Sequence, residues 1–208
     1  KQGLLLFIID SKTKGIKRSE IKNILTNRGS HISNISFNKV RVSASSLIGG
    51  KIEISDKALD YALKNGRAIA SISAFSMCSA ALEETIDYTK KREQFGKKIW
   101  NYQLIQKIIA DARVNISAGL ALTENAFQNK RGMSLKSMNY CNISKLYASQ
   151  NVQKICSDLL DVYGANGTSG KYNIERYFRE SKGFQFIEGT SQILTQLIAL
   201  NSIIGLKE

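Results

Sequence analysis

Not one proline occurs in the 208 residues of this chain, where average usage of about 5% would place roughly ten. Proline lacks an amide hydrogen and collides with the preceding helical turn, so its absence lets helices run long and excludes proline-rich linkers and cis-proline turns. Between Ser55 and Glu93 the single breaker is Gly66, and Ala, Leu, Ile and Met recur at helical spacing; this predicts a helix well beyond the average of about 11 residues. A second helix places Leu104, Ile105, Ile108, Ile109, Ala112, Ile116 and Leu120 on one stripe, which must be buried. A third carries Ile143, Leu146, Val152, Ile155, Leu159 and Val162 and stops at Gly164-Ala165-Asn166-Gly167, residues suited to the left-handed close of a helix. A short helix is expected over Ile174 to Glu180, with Asn173 as its N-cap and Gly183 after it, and a last one from Thr190 or Ser191 through Ile204.

Strand signals are confined to the start. Residues 4–9 form a short apolar run, and Ile32 to Val42 alternates apolar with polar. The expected fold is therefore mainly α, an antiparallel four-helix bundle with an N-terminal remnant of a β-domain, divided as 1–52 and 53–208. About 50 residues of strand are too few for a stable sheet alone. A first residue of Lys instead of Met reads as processing, trimming or a piece of a longer polypeptide.

Composition narrows the chemistry. A 43% hydrophobic and 23% charged chain can bury a core, and without a run of 18 apolar residues neither a membrane span nor a signal peptide is expected. Cys78, Cys141 and Cys156 are odd in number and contain no C-x-x-C pair, so they read as small buried apolar residues in a reducing, cytoplasmic setting, without a disulfide framework or a metal site. His31 is the only imidazole and lies in a polar stretch. Chemistry must then rest on carboxylates or on a cofactor. The net charge of +13 is densest at Lys90-Lys91-Arg92 and Lys97-Lys98. With no helix-turn-helix, zinc or aromatic stacking motif beside it, it points away from nucleic acid and toward a phosphate-rich small molecule or an acidic protein.

Two segments stand out from the helical background. Arg92-Glu93-Gln94-Phe95-Gly96-Lys97-Lys98-Ile99, followed by Gln103, and Phe186-Ile187-Glu188-Gly189-Thr190-Ser191-Gln192-Ile193 together resemble the acyl-CoA dehydrogenase family, whose C-terminal helical domain carries R-x-x-F-G-x-x-I…Q and Y-E-G-T-S-Q-I. The likeness extends over essentially the whole chain. Gly15-Ile16 is similar to a turn of the family's middle β-domain, Leu47-Ile48-Gly49 to the lead into its helices, Tyr163-Gly164-Ala165-Asn166-Gly167 to its G-G-x-G turn, and Ile174-Glu175-Arg176-Tyr177-Phe178-Arg179 to its V-E-R-x-x-R-D helix.

The resemblance implies an FAD-dependent acyl thioester dehydrogenase, present as its C-terminal portion. Glu188 would be the base that removes the α-proton, and a flavin would accept the hydride, since no side chain can. Phe186 and Ile187 beside Glu188 would desolvate its carboxylate and raise its pKa toward that of a working base. Thr190 and Gln192 match FAD contacts, although Thr190 can also cap the last helix. Arg92 and Phe95 match residues that clasp the adenosine diphosphate half of FAD, often of a neighbouring subunit, with Gln103 as a further polar contact. Asp161, Gly164 and Ala165 fall at the cofactor turn, and Arg67, Ile187 and Gly189 on the substrate side. Implied partners are an acyl-CoA or acyl carrier protein thioester, an electron-accepting flavoprotein, and further copies of the chain in a homodimer or homotetramer.

The chain departs from the family's pattern at several positions. Asp161 replaces glutamine, Ala165 the second glycine, Lys64 an aspartate, Leu200 an arginine and Ile187 an aromatic residue, and prolines are missing near Ser43 and Asn173. A carboxylate near a diphosphate is repulsive by roughly 1 kcal/mol or more. These departures leave a second reading, a non-catalytic partner or scaffold subunit of the same fold. A flavin monooxygenase on this fold has no need of Glu188.

Overall fold

The computed structural model describes residues 4–129 and 134–205, and they fall into two compact units, 1–64 and 65–208. In the first, β1 (Ile16–Glu20) pairs antiparallel with β2 (Ser33–Phe37), in a register that sets Ile16 opposite Phe37 and Glu20 opposite Ser33. Gly15, at φ +98°, makes the entry into β1 possible: a Cβ there would overlap the carbonyl of Asn38. The strand expected over 4–9 is reduced to a single bridge between Phe7 and Leu47. Here the Ile8 amide donates to the Ser46 carbonyl and the Leu6 carbonyl accepts from the Ile48 amide, while the Leu6 amide donates to Ser55 Oγ; Ser43 caps the 3₁₀ turn that follows it and ends the pairing. β2 likewise stops at Phe37 and does not reach Val42, because Lys39 turns the chain at φ +50°. β1 itself lies where the sequence shows only a turn, its Lys17, Arg18 and Ser19 being poor strand formers.

α1 (Ile52–Lys91) is the long helix that the missing prolines allow, and the division between the two compact units falls within it, at Lys64/Asn65. In the second unit α1 continues into a hairpin of β3 (Glu93–Gln94) and β4 (Lys97–Lys98). α2 (Gln103–Asn129), α3 (Leu135–Tyr163), α4 (Ile174–Gly183) and α5 (Ser191–Ile204) follow. Ser71 of α1 bonds Thr123 of α2 while Glu83 pairs with Arg113, which runs these helices antiparallel. Ser71 also reaches Ser144 of α3, and Cys78 lies beside Cys156, so α1 and α3 run parallel.

Ala74, Phe75, Cys78, Leu82, Ile116, Val152, Cys156 and Leu159 form the core between these helices. Burial, and before it a hydrogen bond to Cys156, pushes the Cys78 thiol far above its ordinary range, so the pair behaves as packing atoms. Gly119 lets α2 approach, because a Cβ there would overlap the Phe75 ring. Three expected core positions differ. Leu104, at the start of α2, is 78% exposed. On α3 Ile143 and Leu146 are only half-buried, while Asn142, Ser144, Lys145 and Ser149 are fully buried. Asn173 precedes α4 without capping it; its side chain turns to Glu84, which also accepts from the Tyr177 hydroxyl.

Candidate functional site

The loop between α4 and α5 carries Glu188 in left-handed backbone, φ +53°, followed by Gly189 at +96°. A non-glycine residue in that region is held there by its surroundings. The holding groups are two buried cations on two helices. Arg67 of α1 donates from Nε to the Glu188 carbonyl at 3.2 Å, and Lys145 of α3 donates from Nζ to the Gly189 carbonyl at 2.6 Å. Arg67 is itself oriented by Asn142 Oδ1, 2.8 Å from Nη1, and by Met138 Sδ at 3.3 Å. Asn142 Nδ2 is the buried side-chain polar atom left without a partner among the described residues. Thr190 caps α5, accepting from the Ile193 amide, and Gln192 lies in that helix's first turn.

The carboxylate of Glu188 occupies the space that a side chain at position 66 would need. Gly66 is thus the one residue type that lets the acid lie against α1. Arg67, Glu188 and Gly189 are brought together, and Gly66, Asn142 and Lys145 join them. Burial, reinforced by the Arg67 guanidinium, lowers Lys145 to about 8, while Glu188 acts in the opposite direction. Phe186 and Ile187 do not enclose the carboxylate as the sequence suggests. They are 61% and 39% exposed, because the turn that sets Glu188 inward sets its two predecessors outward.

A second cluster forms where α1 ends. The hairpin turn at Phe95-Gly96, with φ of +51° and +78°, brings the chain back so that the Ile99 amide donates to the Arg92 carbonyl. Tyr102 donates its hydroxyl to the Gln94 carbonyl, and the Lys97 ammonium lies 4.3 Å from its ring. Beside the hairpin is a cavity of about 930 Å³ lined by Arg92, Phe95, Gln103, Asp161, Gly164 and Ala165, six of the residues assigned to a cofactor from sequence. Tyr88 and Tyr163, stacked with centroids 4.1 Å apart, also line it. Gly164, at φ +57°, ends α3 on this wall. A guanidinium, the side-chain amides of Gln94, Asn101, Gln103 and Asn166, and aromatic faces suit a nucleotide diphosphate, with Asp161 the one opposing charge. Thr190 and Gln192 do not line this cavity.

Lys145 and Gly66 escape a reading by motif. Lys145 stands among polar residues of a helix whose periodicity is carried by other positions, and Gly66 looks like a simple breaker. The signal for Lys145 was a lysine in line with Asn142 and Ser149, at three and four residues.

Residues 57–203 match the acyl-CoA dehydrogenase C-terminal domain. Cyclohexane-1-carbonyl-CoA dehydrogenase of Geobacter metallireducens is 32% identical over 206 residues, covering 96% of this chain and 52% of that protein. The glutaryl-coenzyme A dehydrogenase glutaryl-CoA complex superposes with a TM-score of 0.87 at 26% identity, over 97% of this chain and 51% of its own. A glutaryl-CoA dehydrogenase of Mycobacterium smegmatis in complex with FADH2 gives a TM-score of 0.89 at 24% identity, over 99% and 53%, a likeness of fold. The chain spans about half the length of the relatives it matches. With the domain matched over most of its residues, this chain belongs to the acyl-CoA dehydrogenase family.

Proposed function

We propose that the chain is the C-terminal portion of an FAD-dependent acyl thioester dehydrogenase and that Glu188 is its base. The observation that carries this reading is the seat of the Glu188 carboxylate against Gly66, with the adjacent carbonyls gripped by Arg67 and Lys145. A base must be fixed relative to the C–H bond it breaks, since misplacement by about 1 Å costs about 100-fold in rate. Glu188 takes the α-proton of the acyl group onto a carboxylate oxygen, and the electron pair of that bond forms the 2,3-double bond as the β-hydride leaves. When bound, a flavin supplies the acceptor for that hydride. Arg92 and Gln103 would hold its diphosphate half, with the ring faces of the cavity wall against the adenine, and Thr190 and Gln192 would contact it from the α5 terminus. Arg67, Ile187 and Gly189 border the acyl group.

The thioester would be carried by coenzyme A or by an acidic carrier protein. The +13 charge favours attraction of either, and Lys64, standing where the family resemblance implies an aspartate, favours the carrier. An electron-transferring flavoprotein as acceptor, a homodimer or homotetramer, and a cytoplasmic setting complete the proposal. Among the described residues no helix is long and apolar enough to cross a membrane.

The test is flavin bleaching. The FAD-loaded protein should lose its yellow absorbance on mixing with a saturated acyl thioester, and Glu188→Gln should slow this by three orders of magnitude or more while leaving the flavin bound. A protein that takes up no FAD supports the scaffold reading, which Asp161 on the cavity wall favours.

A further inference from the structure

The side of α3 that meets the base loop is polar, although it is buried. Asn142, Lys145, Ser149 and Gln153 recur at three and four residues and so form one line along the helix. Each touches the loop or what holds it. Asn142 Oδ1 orients Arg67, and Lys145 Nζ donates to the Gly189 carbonyl. Ser149 Oγ is 2.9 Å from the Phe184 carbonyl, and Gln153 Oε1 accepts from Gln185 Nε2 at 2.8 Å.

Three of the four are uncharged, and a tether alone needs no charge. Lys145 is the exception. Its side chain is almost fully buried, at 1% exposure, and an ammonium in that position is disfavoured unless its charge is compensated. The charged groups that act on it are Arg67, from α1, which repels it, and Glu188, from the loop, which attracts it. Its bond to Gly189 fixes the peptide next to the base, while the charge itself acts on the base carboxylate.

We infer that Lys145 is a positioning residue for Glu188. Its ammonium clamps the Gly189 carbonyl so that the base stays seated against Gly66, and its positive charge attracts the Glu188 carboxylate. The inference rests on the reading of Glu188 as the base.

Lys145→Met, Lys145→Gln and Lys145→Arg in the FAD-loaded protein separate clamp from charge. In Lys145→Met the rate of thioester-dependent bleaching at saturation falls 10-fold or more with little change in the concentration giving half-maximal rate. The acid limb of its rate against pH moves to higher pH. Lys145→Gln keeps a donor without the charge, so it recovers part of the rate with the limb still moved. Lys145→Arg recovers part of the rate with the limb in its original place. Independently of activity, hydrogen exchange at the Ser191 amide, which bonds the Gln185 carbonyl, quickens several-fold in Lys145→Met.

Wild-type bleaching in Lys145→Met overturns the inference. So does a loss of rate, shared by all three variants, in which the acid limb never moves, for that is a structural tether only. Should Lys145→Met not fold, Lys145→Gln against Lys145→Arg decides the charge. If Glu188→Gln bleaches normally, it is the assignment of the base that fails, and the exchange of the Ser191 amide still reports the clamp.

Discussion

A glycine inside a helix costs about 0.5–1 kcal/mol relative to alanine, so Gly66 in α1 is a local weakness that packing must justify. Its justification is the Glu188 carboxylate, which stands in the space of the missing side chain. Gly66→Ala therefore separates stability from function. The helix should hold or gain slightly by circular dichroism, while bleaching falls by 10- to 100-fold as the new methyl displaces the carboxylate. An alanine variant of full activity would show that the acid need not rest there. Glu188 was legible from its motif, because E-G-T-S-Q is a local string. Its supports were not: Gly66 and Lys145 lie 122 and 43 residues away in sequence, and only packing of α1 and α3 against the loop makes them neighbours.

At the scale of elements, one close approach and one cavity wall carry predictions. Gly119 lets α2 pack on the Phe75 ring of α1, so Gly119→Ala should destabilise by about 1–3 kcal/mol through overpacking, read as a lower urea midpoint at an unchanged m-value. The hairpin after α1 gathers Arg92 and Phe95 beside the end of α3. Arg92→Ala should weaken FAD binding by 10-fold or more, as loss of a charge-assisted bond does. Asp161→Gln should strengthen it several-fold by removing a repulsion of about 1 kcal/mol. Titration of flavin fluorescence measures both, and an Asp161→Gln protein that binds FAD no better would place the diphosphate away from that wall. The helices themselves were readable because a 3.6-residue period is a property of sequence. The strands were not. The 4–9 run looks like a strand but finds a single bridge, and β1, with four polar residues in five, owes its form to pairing with β2.

For the whole molecule, Lys145 links folding to pH. Its folded value of about 8 lies below the ordinary lysine value of about 10.4, so between these the unfolded chain binds more protons than the folded one. Stability from this group therefore rises with pH. The cost of burying the charge is fully present below about 8 and is relieved through the window up to about 10.4. Urea unfolding should show wild type gaining on Lys145→Met from pH 8 to pH 10, and parallel curves would mean that Lys145 titrates normally. What the sequence by itself determined was the run of long helices, the two motif strings and the free cysteines, all properties of neighbours along the chain. What only the tertiary structure decided was the seat of the Glu188 carboxylate, the hold of Arg67 and Lys145 on the loop and the cavity shared by the hairpin and the end of α3. These depend on which helix faces which, and that is set by packing of the whole core instead of by any local pattern.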